Sequence, residues 1–420
     1  MACSKIFSGD VPEVTSNIIQ RFHNDINTLH SCILVNRIFC QIAIPLLWED
    51  PFSVKYRENL SYHFIDMYLL FLNDNDKIKI INQINFHKFD LNLYKPLFHY
   101  PSLLKALNLL RVQLHVINWL YSTTFPTSST HQSSTLLKYL QDESNDESND
   151  ESELIKANIA NKRIHDICMV LFNLFIKNDV TLNHLNISFN PDYQKNLINS
   201  IYELLLSNPT FISNIQKFTF HFFNLNDSNY HSSLEEYYNK LLRTLISSFP
   251  SSIKHLDLTV CNKQSVEFEN VIANTIQSQS QLSSIKFSFH LNDNDDELKI
   301  SSMILNELSK SLPLSLNYLD LNLVINPNDL QNFLKNFNQI NLKRLLIRNR
   351  SSCNLDITLN ILKEFIKENN SLDSFSYCIR NNSNFHNNLE LLVKEIQSFV
   401  RIKSYDDLVI KVDDDGKLLY

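Results

Sequence analysis

Glycine is almost missing from this chain. There are two, Gly9 and Gly416, and the 406 residues between them contain none. Loops that cradle phosphate need glycine where the backbone approaches the ligand or takes positive φ. Walker loops, dinucleotide fingerprints, kinase glycine loops and nucleophile elbows are therefore excluded. Cysteine is sparse and odd in number: Cys3, Cys32, Cys40, Cys168, Cys261, Cys353 and Cys378, with no Cys-x-x-Cys pair. Neither a disulfide framework nor a zinc cluster is expected, and a reducing compartment fits. The start, MACSKIFSGDVPE, lacks the apolar run of a signal peptide, so a cytoplasmic or nuclear location is expected. No apolar run reaches the length of a membrane span, and no membrane partner is expected.

Charge of one sign is confined to one place. The formal net charge is −7, but Asp142 to Glu153 reads DESNDESNDESE. That tract holds seven of the 45 carboxylates and no base, leaving 38 acidic against 38 basic residues elsewhere. The remainder has no global field to attract nucleic acid, and none is expected as a partner. The tract and the Ser/Thr-rich stretch before it read as a disordered insertion over residues 122–157. It is either a solvated low-complexity loop or an acidic tail that binds a partner or is switched by phosphorylation. The fourteen histidines are scattered, without His-Glu-x-x-His, and His23/His30 and His221/His231 lack metal-ligand spacing. No metal, cofactor or catalytic residue is expected, and the chain is read as a non-enzyme.

The first fifty residues predict three short helices. Pro12 suits a first-turn position before Val14, Ile18, Ile19 and Phe22. Asp25 caps a second helix carrying Ile26, Leu29, Ile33 and Leu34. A third carries Ile38, Phe39, Ile42, Ala43, Leu46 and Leu47 to Trp48, with Pro45 ending or kinking its last turn. So thin a core usually needs a partner to cover its remaining apolar face.

Val11 to Pro51, with VPEV, NIIQRF and TLHSCILVNRIFCQIAIPLLWEDP, resembles an F-box. Val11 stands where the family usually has Leu, and Phe39 where it usually has Trp. The resemblance implies that Pro12, Ile18, Ile19 and Leu29 face a Skp-type adaptor. It implies that Val35, Arg37, Phe39 and Trp48 close or flank the three-helix core. The alternative is that these residues are simply the core of a helical cap.

From about residue 164 a strand-like Leu-x-x-Leu-x-Leu segment alternates with an amphipathic helix. The strand-like units are LNHLNI (182–187), ISNIQKFTF (212–220), IKHLDL (253–258), LSSIKF (282–287), LNYLDL (316–321), LKRLLI (342–347) and LDSFSY (372–377). A weaker eighth is YDDLVI (405–410), and repeat spacings run from 26 to 38 residues. Helices are expected at 197–207, 234–249, 300–312, 329–337, 357–368 and 388–399. Such units bury their apolar face only by stacking. The expected fold class is α/β, a leucine-rich-repeat solenoid with a parallel inner sheet behind the three-helix F-box. The periods are long and uneven. The Asn or Cys usual after the third apolar residue appears only at Asn190 and Cys261; His290, Val324 and Arg350 stand there elsewhere. An α/β sheet with helices on both faces is the competing architecture. The domains read as 6–51 F-box, 52–121 helical collar, 122–157 insertion and 158–420 leucine-rich repeats.

The resemblance implies a substrate-recognition subunit of a Skp–cullin–F-box ubiquitin ligase, with adaptor and cullin as partners and a target protein on the repeats. The alternative is a non-catalytic interaction scaffold outside any ligase. Strand alternation turns Asn186, Thr219, Asp257, Lys286, Asp320, Leu346 and Ser376 away from the core. On that face Asp320, Arg344 and Arg348 are the expected target contacts. Lys343, Arg344, Arg348, Arg350, Tyr377 and Arg380 mix bases with aromatics, which suits either a solvated face or a site for phosphate or an acidic peptide.

Overall fold

The computed structural model describes residues 12–23, 25–52, 63–84, 96–124, 151–189, 191–222, 244, 252–260, 273–274, 276–289, 294–350, 354–369, 371–379, 401–402, 411–412 and 418–419. The chain divides into two compact units. One is Met1–Leu182 with Asn196–Ile201, the other Asn183–Lys195 with Tyr202–Tyr420. The division falls later than residue 158, because the long helix before it belongs to the first unit. The acidic residues 142–150, the expected helix at 388–399 and the YDDLVI segment lie outside the described residues, as does the helix at 234–249 apart from Thr244.

The first unit opens on helices α1 Pro12–Gln20, α2 Ile26–Ile33 and α3 Arg37–Trp48. Pro12 occupies the first helical position, where its missing N–H costs nothing. The Asp25 carboxylate accepts from Thr28 N at 3.1 Å and from Thr28 Oγ1 at 2.6 Å, fixing the start of α2. Asn36 caps α3 by accepting from Ile38 N and Phe39 N, both at 2.9 Å. Helix α3 continues through Pro45 to Trp48 rather than ending there. Ile19, Leu29, Cys32, Phe39 and Ala43 form the buried centre, flanked by Phe22, Ile33, Ile42 and Leu46.

Helices α4 His63–Leu69, α5 Asp74–Ile84, α6 Leu109–Thr124 and α7 Glu151–Lys177 complete this unit, with a short strand β1, Ala106–Asn108. Both ends of the expected insertion are thus helical, at 122–124 and at 151–157. Trp48 ties α3 to its neighbours. Its ring centroid lies 4.1 Å from Tyr100, 4.6 Å from Phe64 and 5.3 Å from Tyr68. Trp119 Nε1 donates to Asp66 at 2.6 Å, joining α6 to α4.

The second unit is an open sheet whose eight described strands are all parallel. These are β2 His184–Phe189, β3 Lys217–Phe222, β4 His255–Val260, β5 Ser284–Phe289, β6 Tyr318–Leu323, β7 Arg344–Asn349, β8 Ser374–Ile379 and β9 Arg401–Ile402. Seven follow the expected units, while β9 precedes YDDLVI. Strand order equals chain order, with no reversal. Helices α8 Pro191–Ser207, α9 Asn294–Ser311, α10 Pro327–Lys335 and α11 Leu355–Glu368 lie between strands. They match the expected helices within a few residues; α8 stops before Pro209 and α9 before Pro313.

The register aligns the apolar triplets into rows. Leu185, Phe218, Leu256, Ile285, Leu319, Leu345 and Phe375 form one row, and Ile187, Phe220, Leu258, Phe287, Leu321, Ile347 and Tyr377 the next. Both rows are buried throughout, as are the leading Leu182, Ile215, Ile253, Leu282, Leu316, Leu342 and Leu372. A backbone motif repeats with them. The residue before each strand offers its carbonyl to two successive N–H groups of the next repeat, as Asn183 O does to Gln216 N (2.8 Å) and Lys217 N (3.0 Å). Gln216, Lys254, Ser283, Asn317 and Lys343 do the same in turn.

The same motif occurs in the region that sequence reading assigned to the collar. In the first unit Glu49 O accepts from Lys105 N at 2.8 Å and Ala106 N at 3.0 Å. Leu104, Leu107 and Leu109, in Leu-x-x-Leu-x-Leu spacing, are all buried.

Glycine scarcity has a visible answer. Among the described residues the positive-φ positions are Asp179 (φ 51°) and Asn354 (φ 54°). Short Asx side chains tolerate the left-handed region best among residues that carry a Cβ.

Candidate functional site

Two surfaces carry the residues singled out from the sequence. On the N-terminal helices, Ile18 is 42 % exposed and sits one turn after Val14, also outward-facing. Leu34 is 86 % exposed and Val35 half exposed, at the end of α2. Ile19 and Leu29 do not face outward. They are 1 % and 0 % exposed and belong to the core of the three helices, so they hold those helices together from within. Pro12 starts α1. Arg37 is exposed, while Phe39 and Trp48 are buried. Val14 and Leu34 are the outward apolar groups that the motif comparison missed. Val14, Ile18, Leu34 and Val35 are the exposed large apolar side chains of this three-helix segment.

The second surface is the sheet face opposite the apolar rows. On β7, Arg344 and Arg348 lie on this face, both half-buried. Asp320 on β6 lies there too, but it is fully buried and accepts from Tyr318 Oη at 3.4 Å. Its register partner is Leu346, so neither arginine stands directly opposite it. Alternation assigned Asp320 to the correct face. It could not show that neighbouring side chains close over it.

Toward β2 the same face gathers histidines and lysines. The register sets His184, Lys217 and His255 side by side on β2, β3 and β4. Asp257 lies between β3 and β5 partners: His221 Nε2 is 3.4 Å from its Oδ1, and Lys286 Nζ is 3.5 Å from its Oδ2. Burial alone raises the Asp257 pKa, but the His221 hydrogen bond and the Lys286 charge outweigh it and hold the carboxyl below its ordinary range. His184, bonded to Thr219 Oγ1 at 3.5 Å, is pushed down to about 3 by burial and then by the Lys217 charge. These groups form no metal-holding cluster among the described residues.

Two cysteines, Cys32 and Cys168, are buried. Burial pushes the Cys32 and Cys168 thiols up, which keeps both protonated. Among the described residues no helix is long and apolar enough to cross a membrane. Compared with known protein families and with curated proteins, the chain matches none.

Proposed function

We propose that this chain is a substrate receptor of a Skp–cullin–F-box ubiquitin ligase. Its three N-terminal helices dock a Skp-type adaptor, and its sheet unit holds a target protein for ubiquitin transfer by other subunits. The chemistry of such a receptor is proximity: it raises the target's effective concentration at a distant active centre. The observation that carries the reading is the F-box-like pattern of Val11 to Pro51 with Val14, Ile18, Leu34 and Val35 turned outward. Strand order that follows chain order supports a leucine-rich-repeat solenoid for the second unit. With right-handed crossovers, sequential strands place every helix on one face, unlike a two-sided α/β sheet.

A scaffold outside any ligase, with the three helices as a cap, has one observation in its favour: Trp48 and Glu49 O bind those helices to the rest of their unit. A cap, however, gains nothing from outward apolar groups at Val14 and Leu34. Co-expression of the full chain with a Skp-type adaptor separates the readings. The receptor reading expects a stable complex that survives purification. A chain recovered without adaptor contradicts it.

A further inference from the structure

Strands β2 to β5 present twelve register positions on the face opposite the apolar rows. They are His184, Asn186 and Ser188 on β2; Lys217, Thr219 and His221 on β3; His255, Asp257 and Thr259 on β4; Ser284, Lys286 and Ser288 on β5. Every one is polar. Two are lysines, three are histidines and one is a carboxylate. That carboxylate, Asp257, is already bonded by His221 and Lys286. The chain as a whole is acidic, at −7, whereas this face carries two lysines against one carboxylate. Several of its side chains are shielded from water: His255, Thr219, Ser188, Ser284 and Ser288 are buried. Charges on a partly desolvated face are screened less than charges on an open surface.

We propose that the face of strands β2–β5 is a docking surface for an extended acidic segment of a protein partner. The inference rests on reading the chain as a target receptor, and it names the chemistry of the target. Lys217 and Lys286 stand two strands and one row apart, about 12 Å at ordinary sheet spacings. Same-side residues four apart in an extended peptide are about 13 Å apart, so carboxylates at i and i+4 reach both lysines. A nucleic acid fits less well. The twelve positions include no Phe, Tyr or Trp and no arginine, and two lysines are few for the run of phosphates that a nucleic acid presents. The asparagine, serine and threonine side chains among the twelve supply donors for the peptide's carbonyls and carboxylates.

The test uses the full chain and fluorescein-labelled hexaglutamate, with hexalysine as control. Hexaglutamate is expected to bind and hexalysine not. Raising salt from about 50 mM to about 200 mM is expected to weaken binding several-fold. Lys217→Gln with Lys286→Gln is expected to lower affinity roughly ten-fold or more, while Lys217→Arg with Lys286→Arg retains it. Because Lys286 also holds Asp257, Lys217→Glu alone serves as a second variant, and melting curves confirm that each is folded. The inference is overturned by absent hexaglutamate binding, by folded variants that bind as wild type does, or by tighter binding of a thymidine oligonucleotide. Adaptor capture is assayed on the same samples. Adaptor bound without hexaglutamate defeats this inference alone; hexaglutamate bound without adaptor defeats the ligase reading alone.

Discussion

Arg350, just past strand β7, is held through its side chain. Its Nη2 donates to Phe289 O at 2.8 Å and pairs with Glu297 from helix α9. Both side chains are almost closed to water, at 9 % and 2 % exposed. One residue earlier, buried Asn349 accepts from Ile325 N at 3.0 Å and donates to Ile325 O at 2.9 Å. Removing one partner of a buried ion pair strands the other charge. Glu297→Ala is therefore expected to cost about 3–5 kcal/mol in chemical denaturation, and Glu297→Leu with Arg350→Met to recover most of that loss. Equal loss in single and double variants would show that the ion pair itself, rather than the avoidance of a stranded charge, carries that stability.

His184 gives a pH dependence at the same scale. Its folded-state pKa is held down to about 3, below the ordinary 6.5. The unfolded chain therefore takes up a proton as pH falls below about 6.5, while the folded chain does not until about 3. Its contribution to stability is complete above that window and is lost as pH falls through it. The melting temperature is expected to be lower at about pH 5 than at about pH 7, and His184→Asn to narrow the difference. An unchanged difference in the variant would assign the pH effect to other groups.

At the scale of elements, serine ties three of the repeats to the one before. Ser252 Oγ donates to Ile215 O at 2.9 Å, Ser315 Oγ to Leu282 O at 2.7 Å, and Ser371 Oγ to Leu342 O at 3.0 Å. In each case the acceptor is the leading apolar residue of the preceding triplet. Ser315→Ala is expected to cost about 1 kcal/mol, read as a shifted denaturation midpoint with an unchanged slope. No shift would mean that water replaces the hydroxyl without loss.

The strands between His184 and Ile379 were legible because three apolar positions per unit must meet the same core, and period-2 alternation records that need. The strand at Ala106–Asn108 was not, because Leu104, Leu107 and Leu109 run directly into a helix whose apolar spacing masks them. The exposure of the proposed docking residues was half legible. A motif tells which positions are apolar, but only packing tells which apolar side chain is enclosed, as Ile19 is, and which is left outside, as Ile18 is. Asp320 carries the same lesson for a polar face. Parity gives direction, and the burial of its carboxylate beside the Tyr318 hydroxyl, which parity does not record, decides access.

At the scale of the whole molecule, the account divides labour between two compact units, one offering apolar helices and the other a polar sheet face. Truncation is a poor probe of that division, since ending the first element at Pro51 removes Trp48 from Phe64, Tyr68 and Tyr100. Outward substitutions leave the core alone. The most direct measurement is a calorimetric titration of purified Skp-type adaptor into the full chain, wild type beside Val14→Asp with Ile18→Asp. Burying two unpaired carboxylates in an interface costs several kcal/mol, so the variant is expected to bind at least about 100-fold more weakly while melting within a few degrees of wild type. No adaptor binding by the wild-type chain, or wild-type affinity in the folded variant, would contradict the account.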